Sequence, residues 1–160
     1  MNVKRPQSEP PLIELEQFLP YRLNVVAEAV SRSLSRLYEE RHGISIAEWR
    51  VIATLGQYPQ MTAKQIGAHS RMHKTKVSRA VARLTDRRLI ERAANSQDLR
   101  ETFLELTFDG RKVYEDLVPR ALAFADDLGE SFTEQERAVL DKLLTKLEVQ
   151  ALDGGKQADR

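Results

Sequence analysis

The residues best suited to chemistry lie in one short stretch, residues 74–83, where six of ten side chains are basic or carry a hydroxyl group. These six are Lys74, Thr75, Lys76, Ser78, Arg79 and Arg83. Cationic groups bind phosphates, and hydroxyl and guanidinium groups can hydrogen-bond to the edges of bases. The stretch therefore predicts contacts with a nucleic acid, with Arg79 suited to bidentate recognition of guanine and Arg83 to a phosphate.

A helix over about residues 73–87 would separate these polar groups from a core. Four apolar residues recur at helical spacing and form one stripe: Val77, Ala80, Val81 and Leu84. At about 100° per residue, the opposite face holds Thr75, Arg79 and Ala82. Lys76 and Arg83 lie on one flank of that face, and Lys74 and Ser78 on the other.

The segment before this helix completes a helix-turn-helix pattern. Thr62 and Gln65 have the spacing of a capping box, which favours a short helix over residues 63–70. A break at residues 71–72 then separates it from the basic helix. Because the free N–H groups of a helix N-terminus bind anions, Thr62, Lys64 and Gln65 are candidates for phosphate contacts.

A β-hairpin, or wing, is predicted after the basic helix. Residues 89–92 and 102–106 have the alternating character of short strands. Residues 94–100 between them are polar and turn-prone, which places Arg100 at the hairpin tip. Arg92, in the first strand, could contact a phosphate or pair with an acid.

The charge distribution agrees with a polyanion-binding middle segment. The net charge is only +1, but residues 61–100 hold 10 basic and 3 acidic residues. Residues 1–60 hold 7 of each, and residues 101–160 hold 8 basic and 14 acidic residues. One basic segment between a neutral and an acidic one is the electrostatic pattern of a nucleic-acid-binding module, although a solvated charged face is the alternative.

Long apolar stripes flank this segment at both ends of the chain. A short helix is predicted over residues 12–19, ending near Pro20, followed by a long helix that ends near Gly43. Ser45 and Glu48 form a second capping box, Thr107 caps a further long helix, and Thr133 and Glu136 form a third box before the last helix.

The predicted fold is mainly α-helical, with a small β-hairpin wing. It comprises a mobile arm (residues 1–11), a helical dimerisation region (12–43 and 108–152), a winged helix-turn-helix lobe (44–107) and a disordered tail (153–160). The apolar stripes exceed what a small lobe can cover, so we expect a homodimer. Symmetric pairing would place two basic helices about 34 Å apart, one turn of DNA.

Composition excludes several other classes of protein. With no cysteine in 160 residues there is no disulfide or thiol chemistry. No apolar run approaches the roughly 18 residues of a membrane span, and there is no secretion signal, so we expect a cytoplasmic protein without a membrane partner.

His69 and His73 could share a metal, but a helix break is predicted between them. No phosphate loop, nucleophile elbow or dinucleotide fingerprint occurs, so we expect neither a cofactor nor enzymatic activity.

Taken in order, these motifs resemble the MarR family of winged helix-turn-helix transcriptional regulators. The resemblance extends from about Leu23 to Leu147. Its marks are Ala47-Glu48-Trp49-Arg50-Val51-Ile52, Val77-Ser78-Arg79, Arg83-Leu84, Leu89-Ile90-Glu91-Arg92, Asp98-Leu99-Arg100 and Leu104-Glu105-Leu106-Thr107 with Gly110.

The resemblance implies a homodimer, usually a repressor, on a pseudo-palindromic double-stranded operator. It also implies release by a small aromatic or phenolic effector, or its CoA ester, bound between the dimerisation helices and the lobe. Asp98 would orient Arg100, which would enter the minor groove. The chain departs from the family pattern at Arg88, where glycine is common, and at His73, where serine or threonine usually caps the helix.

Five residues are candidates for an effector pocket: Tyr38, Arg41, His42, Trp49 and Tyr114. Each could equally be a core or surface residue that needs no ligand, and a lone Trp on an apolar stripe most often belongs to a core. The alternative function is therefore a DNA-binding regulator controlled by a protein partner, or one that is constitutive.

Overall fold

The computed structural model describes residues 12–94 and 101–158, which form six helices and three strands. In chain order they are α1 (Leu19–His42), α2 (Ile46–Gln57), β1 (Met61–Thr62), α3 (Ala63–Ser70), α4 (Lys74–Asp86), β2 (Ile90–Ala93), β3 (Phe103–Leu106), α5 (Phe108–Gly129) and α6 (Glu134–Ala158). The prediction of a mainly helical fold with a small β wing is confirmed.

The strands form one antiparallel sheet in the order β1-β3-β2. Ile90 pairs with Leu106, and Ala93 with Phe103, which confirms the predicted hairpin. Strand β1 was not predicted, because its two residues are too few to show an alternating pattern. By pairing Met61 with Leu104, β1 joins the start of α3 to the base of the wing.

The core lies where α2, α3 and α4 pack together against the sheet. Its fully buried side chains come from every one of these elements, with Ile52 from α2, Ile66 from α3, Leu84 from α4 and Leu104 from β3. Leu117 of α5 and Tyr38 of α1 complete the cluster, so both long helices are attached to the lobe through apolar contacts.

The predicted helix starts are confirmed by their hydrogen bonds. Both halves of the capping box are formed by Ser45 with Glu48 at α2, and by Thr62 with Gln65 at α3. The hydroxyl of Thr107 accepts from the backbone N–H of Gly110 at α5. Before α6, Thr133 and Glu136 form the third reciprocal pair. These bonds satisfy N–H groups that have no partner within the helix.

The predicted helix over residues 12–19 is wrong. A turn occupies residues 15–17, and α1 begins at Leu19 with Pro20 in its first turn. A proline in a helix interior kinks or breaks the helix, but it is tolerated in the first turn, where its missing N–H would have no helical partner. Pro20 therefore marks the beginning of the long helix.

At the C-terminus, the predicted disordered tail is wrong for residues 153–158, which continue α6. Each residue added to an existing helix gains a hydrogen bond, which offsets the roughly 1 kcal/mol cost of a helical glycine. The predicted mobile arm, residues 1–11, lies outside the described residues. Within the described chain, no helix has the length and apolar character needed to cross a membrane.

The wing and α5 meet at a tight junction around Gly110. Leu89 O accepts from the backbone N–H of Thr107 at 3.1 Å, and Arg88 O accepts from the Thr107 hydroxyl at 2.7 Å. A Cβ atom on Gly110 would overlap the backbone carbonyl of Leu89. Glycine at position 110 is therefore required by the close approach of α5 to the strand entrance.

We expect Gly110→Ala to lower the free energy of unfolding by about 1–3 kcal/mol, although alanine is the better helix former, because backbone atoms must move to relieve the overlap. The measurement is urea unfolding followed by circular dichroism. Gly129→Ala is the matched control in the same helix, since its new Cβ would meet only the movable guanidinium of Arg137, 3.0 Å from Cζ. Equal effects of the two substitutions would contradict the close-approach explanation.

Candidate nucleic-acid interface

Helix α4 presents its two faces as the sequence predicts. Val77, Ala80, Val81 and Leu84 are all buried in the core. The six polar residues of the stretch are all exposed: Lys74, Thr75, Lys76, Ser78, Arg79 and Arg83. With its apolar stripe held by α2 and α3, the helix directs a continuous basic face to solvent.

The start of α4 is capped by an unusual residue for this position. His73 has an extended backbone, and its Nδ1 accepts from the backbone N–H of Thr75 at 3.4 Å. The imidazole thus makes the kind of contact that a serine or threonine hydroxyl makes at other helix starts. Lys74 and Thr75 consequently begin a regular first turn.

At the start of α3, the three predicted phosphate contacts have different environments. Thr62 is only 4% exposed, and its hydroxyl accepts from the backbone N–H of Gln65. The Gln65 side chain in turn accepts from the N–H of Thr62. Thr62 therefore orients the helix start and does not itself reach solvent, whereas Lys64 and Gln65 are exposed.

Two clefts lie on either side of α4. The inner cleft, about 1000 Å³, separates α4 from α1 and α2 and is lined by five cations, Arg32, Arg50, Lys76, Arg79 and Arg83. The wing cleft, about 820 Å³, separates α4 from α3 and the hairpin; it is lined by Lys64, Lys74, Ser78, Arg92 and Glu101 among others. The two flanks predicted for the helix therefore face two different spaces.

Two turns of the helix-turn-helix hold arginine in the left-handed region. Arg88, at the turn into the wing, has φ 56°, and Arg71, which ends α3, has φ 53°. Arg88 thus adopts the left-handed backbone at the position where glycine is common in the family. Such a conformation costs a non-glycine residue roughly 1–2 kcal/mol. At Arg88, hydrogen bonds of its N–H to Thr85 O and of its carbonyl to Thr107 hold the turn in place.

The predicted wing-tip residues, Asp98 and Arg100, lie outside the described residues. Their proposed pairing and minor-groove contact remain predictions.

Among the five candidate effector residues, Tyr38 of α1 and Trp49 of α2 stack on each other. The rings of Tyr38 and Trp49 lie 5.6 Å apart between centroids, with 21° between their planes. Burial, with a smaller effect of Glu39, raises the pKa of the Tyr38 hydroxyl to about 12. Tyr114 packs so closely on Gly56 that a Cβ there would overlap its ring.

The other two candidates, Arg41 and His42, bind Asp116 of α5. His42 Nε2 lies 2.9 Å from Asp116 Oδ2, and Arg41 Nε donates to the same oxygen at 3.1 Å. Hydrogen bonds from His42 first, and then from Arg41, lower the pKa of Asp116 to about 2. None of the five candidates lines the inner cleft or the wing cleft.

The histidine pair considered for a metal makes other contacts. His73 caps α4, and His69 lies edge-on to Tyr58 at 5.0 Å between ring centroids. In the ranges 12–94 and 101–158, no three metal-ligating side chains come together.

A short helix, a tight turn, an exposed basic helix and a three-stranded wing define a winged helix-turn-helix DNA-binding protein. Residues 42–101 match the sequence model of the MarR family. The chain is 23% identical to the uncharacterised HTH-type transcriptional regulator YwoH of Bacillus subtilis, over 81% of this chain and 93% of YwoH. The DNA-binding lobe is therefore similar to that of MarR-family transcription regulators, and the relatives that the chain matches are HTH-type transcription regulators.

Solved structures share this architecture along most of the chain. A MarR/EmrR family regulator from Acinetobacter sp. ADP1 has a TM-score of 0.80 at 28% identity, covering 88% of this chain and 99% of that one. Sco3205 from Streptomyces coelicolor, solved in complex with DNA, has a TM-score of 0.75 at 19% identity and covers 89% and 91%. PcaV from the same organism, solved with its natural ligand, has a TM-score of 0.72 at 19% identity and covers 89% and 99%.

We expect Arg79→Ala to weaken binding to the preferred operator by about 1–3 kcal/mol and to relax specificity at one base pair, because a bidentate contact to guanine would be lost. The measurement is fluorescence anisotropy on operators substituted at single positions. Arg36→Ala, which removes an exposed arginine from α1, is the control and should leave the base preference unchanged. Uniform weakening on every sequence would show instead that Arg79 contacts only phosphate.

Proposed function

We propose that this protein is a homodimeric repressor that binds a pseudo-palindromic operator and is released by a small aromatic or phenolic acid, or its CoA ester. The observation that carries the proposal is the exposed basic face of α4, which lies beside a cationic cleft shared with α1 and α2. The competing function, a regulator controlled by a protein partner or constitutively active, would use the same DNA-binding face but no small ligand.

The proposed DNA contacts follow from exposure and position. The N-terminal half of a recognition helix meets base edges, so Lys74, Thr75, Lys76, Ser78 and Arg79 are assigned to the major groove. Arg83, Lys64 and Gln65 are assigned to phosphates, and Asp98 with Arg100 to the minor groove at the wing tip. Sco3205, which shares the fold, was solved in complex with DNA and supports this mode of use.

Homodimerisation is supported by the large apolar surface of α6. No residue of α6 whose side chain is described is buried, and Leu140, Leu143 and Leu144 are 43%, 50% and 49% exposed. An isolated helix gains little stability in water, so an amphipathic helix of 25 residues requires a partner for its apolar stripe. The first turns of α1 also expose Tyr21 and Leu23. A second copy would cover both regions by symmetry.

The effector is assigned to the inner cleft. Ile46 and Met72 provide an apolar wall, and the guanidinium of Arg50 is placed to bind a carboxylate. Arg32 is already paired with Glu28 at 2.6 Å, which leaves Arg50 as the better anion ligand from outside α4. A ligand here would touch α1, α2 and α4 together, so its binding could compete with DNA. PcaV was solved with its natural ligand, which is consistent with ligand control in this fold.

We expect Leu144→Glu to convert the dimer to a monomer and to abolish operator binding, because an added carboxylate would have to be buried in the apolar interface. Sedimentation velocity and anisotropy would measure the two effects. Lys142→Glu, on the same helix, is the control for added negative charge and should remain dimeric. A wild-type protein that is monomeric at concentrations where it binds DNA would contradict the proposal.

We expect one compound from a panel of aromatic acids and their CoA esters to release the wild-type protein from its own upstream intergenic DNA in an electrophoretic shift. Arg50→Ala should bind the operator as wild type does but lose at least tenfold in sensitivity to the compound, since a charge-assisted contact is removed. Affinity for DNA should also fall steeply with salt, because phosphate binding releases counterions.

The outcomes separate the alternatives. Release that survives Arg50→Ala but disappears in Tyr114→Phe would move the effector site to the Tyr38, Trp49 and Tyr114 cluster. Tight specific binding that no compound disturbs would favour control by a protein partner or constitutive activity. Absence of specific binding at moderate salt would overturn the operator-binding proposal itself.

A further inference from the structure

Arg87 is a cation of the basic segment whose guanidinium is engaged within the protein. It is the residue after α4, and its side chain donates two hydrogen bonds to the end of α1. The Nη2 group donates to His42 O at 2.6 Å, and the Nη1 group donates to Gly43 O at 3.1 Å. Charge alone would count Arg87 in the DNA footprint, whereas its donors are aimed at backbone carbonyls 44 and 45 residues away.

The receiving site is a helix C-terminus. Helix α1 ends at His42, and Gly43 follows in the left-handed conformation, with φ 59° and its N–H bonded to Glu39 O. The last carbonyls of a helix lack partners within the helix and lie at the negative end of its dipole. The Arg87 guanidinium donates to the last carbonyl of α1, that of His42, and to that of Gly43 directly after it, so it meets both the hydrogen-bonding and the electrostatic requirement of this helix end.

The same end of α1 is held from the other side by α5. The side chains of Arg41 and His42 both bind Asp116, and Arg120 Nη2 lies 3.7 Å from the second oxygen of this carboxylate. His42 is therefore shared: its carbonyl accepts from Arg87, and its imidazole binds Asp116. A continuous hydrogen-bonded path runs from the end of α4 through the end of α1 to the middle of α5.

We propose that Arg87 is a positioning residue for DNA binding, which fixes the recognition helix on the α1–α5 pair without touching DNA. Helix α4 has 13 residues, so its bonded end lies roughly 20 Å from the first turn that meets the bases. A small rotation of the lobe about this end would move the first turn of α4 further than it moves the bonded end. The separation of two such helices in a dimer, and hence the preferred spacing of the half-sites, depends on this anchor.

Two tests are needed, because the first, on operator spacing, rests on the proposed function. The second is independent of that function. For the first, wild type and Arg87→Met are titrated onto operators whose half-sites are 9, 10, 11 or 12 base pairs apart. Arg87→Met should lose roughly tenfold in affinity at the preferred spacing and less at the others. A tenfold loss is within the usual range for coupling between two separate sites of a protein. The slope of log affinity against log salt concentration should equal that of the wild type. Each lost phosphate contact would reduce this slope by about 0.9, and Arg87 is proposed to make none.

The second test measures the orientation of the lobe within one chain. The protein has no cysteine, so Arg36→Cys on α1 and Glu91→Cys on β2, both exposed, define one spin-label pair. Double electron–electron resonance is recorded with the labelled chain diluted in unlabelled protein. Arg87→Met should broaden or shift the distribution of distances between the two labels. Arg87→Lys should change it less, because lysine keeps a cationic donor group. Asp116→Asn should change it in the same direction as Arg87→Met.

The results separate a failure of this inference from a failure of the proposed function. If the wild type shows no spacing preference, the proposed dimer on two half-sites is contradicted. The intramolecular distance measurement then tests the role of Arg87 without reference to DNA. An unchanged distance distribution in Arg87→Met overturns the positioning role. A reduced salt slope overturns it too, because Arg87 would then be a direct phosphate contact. Should Arg87→Met unfold, the Lys and Asn variants provide the same comparison.

Discussion

The burial of one apolar stripe on α4 is the constraint on which the DNA-binding face depends. Val77, Ala80, Val81 and Leu84 follow the period of a helix, and packing them against α2 and α3 fixes the rotation of α4 about its axis. Once the rotation is fixed, the polar residues between them must point away from the core. The chemistry of Lys74 and Arg79 is therefore set by hydrophobic contacts on the other side of the same helix.

The position of α4, as distinct from its rotation, is set by weaker and more distant contacts. The lobe meets the long helices through Tyr38 and Leu117, through the Thr107 junction, and through the polar contacts of Arg87 with the end of α1. Exposed polar contacts are individually modest in energy. The orientation of α4 therefore depends on several such contacts acting together. A ligand in the inner cleft would contact other residues of α1 and α4, outside this junction.

Local signals in the sequence predicted the elements well, and long-range contacts account for what was missed. Capping boxes such as Thr62 with Gln65 span three residues, and the α4 stripe repeats within one helix, so both can be read directly. Asp116 gave no such signal, because its partners Arg41 and His42 are 75 and 74 residues away. Pro20 was misinterpreted for a different reason: a proline can follow the end of one helix or lie in the first turn of the next, and the residue type alone does not distinguish the two positions.

The basic segment shows why a charge count identifies a surface but not its contacts. Nine of its cations lie in the described part of residues 61–100, yet the guanidinium of one of them, Arg87, donates to the protein's own backbone. Its acceptors are the carbonyls of His42, which ends α1, and of Gly43. Arg87 still contributes to the long-range potential that attracts a polyanion, since charge acts over a Debye length of about 8–10 Å. Its donors are already bound to carbonyls, however, so its charge does not translate into a directional contact with DNA.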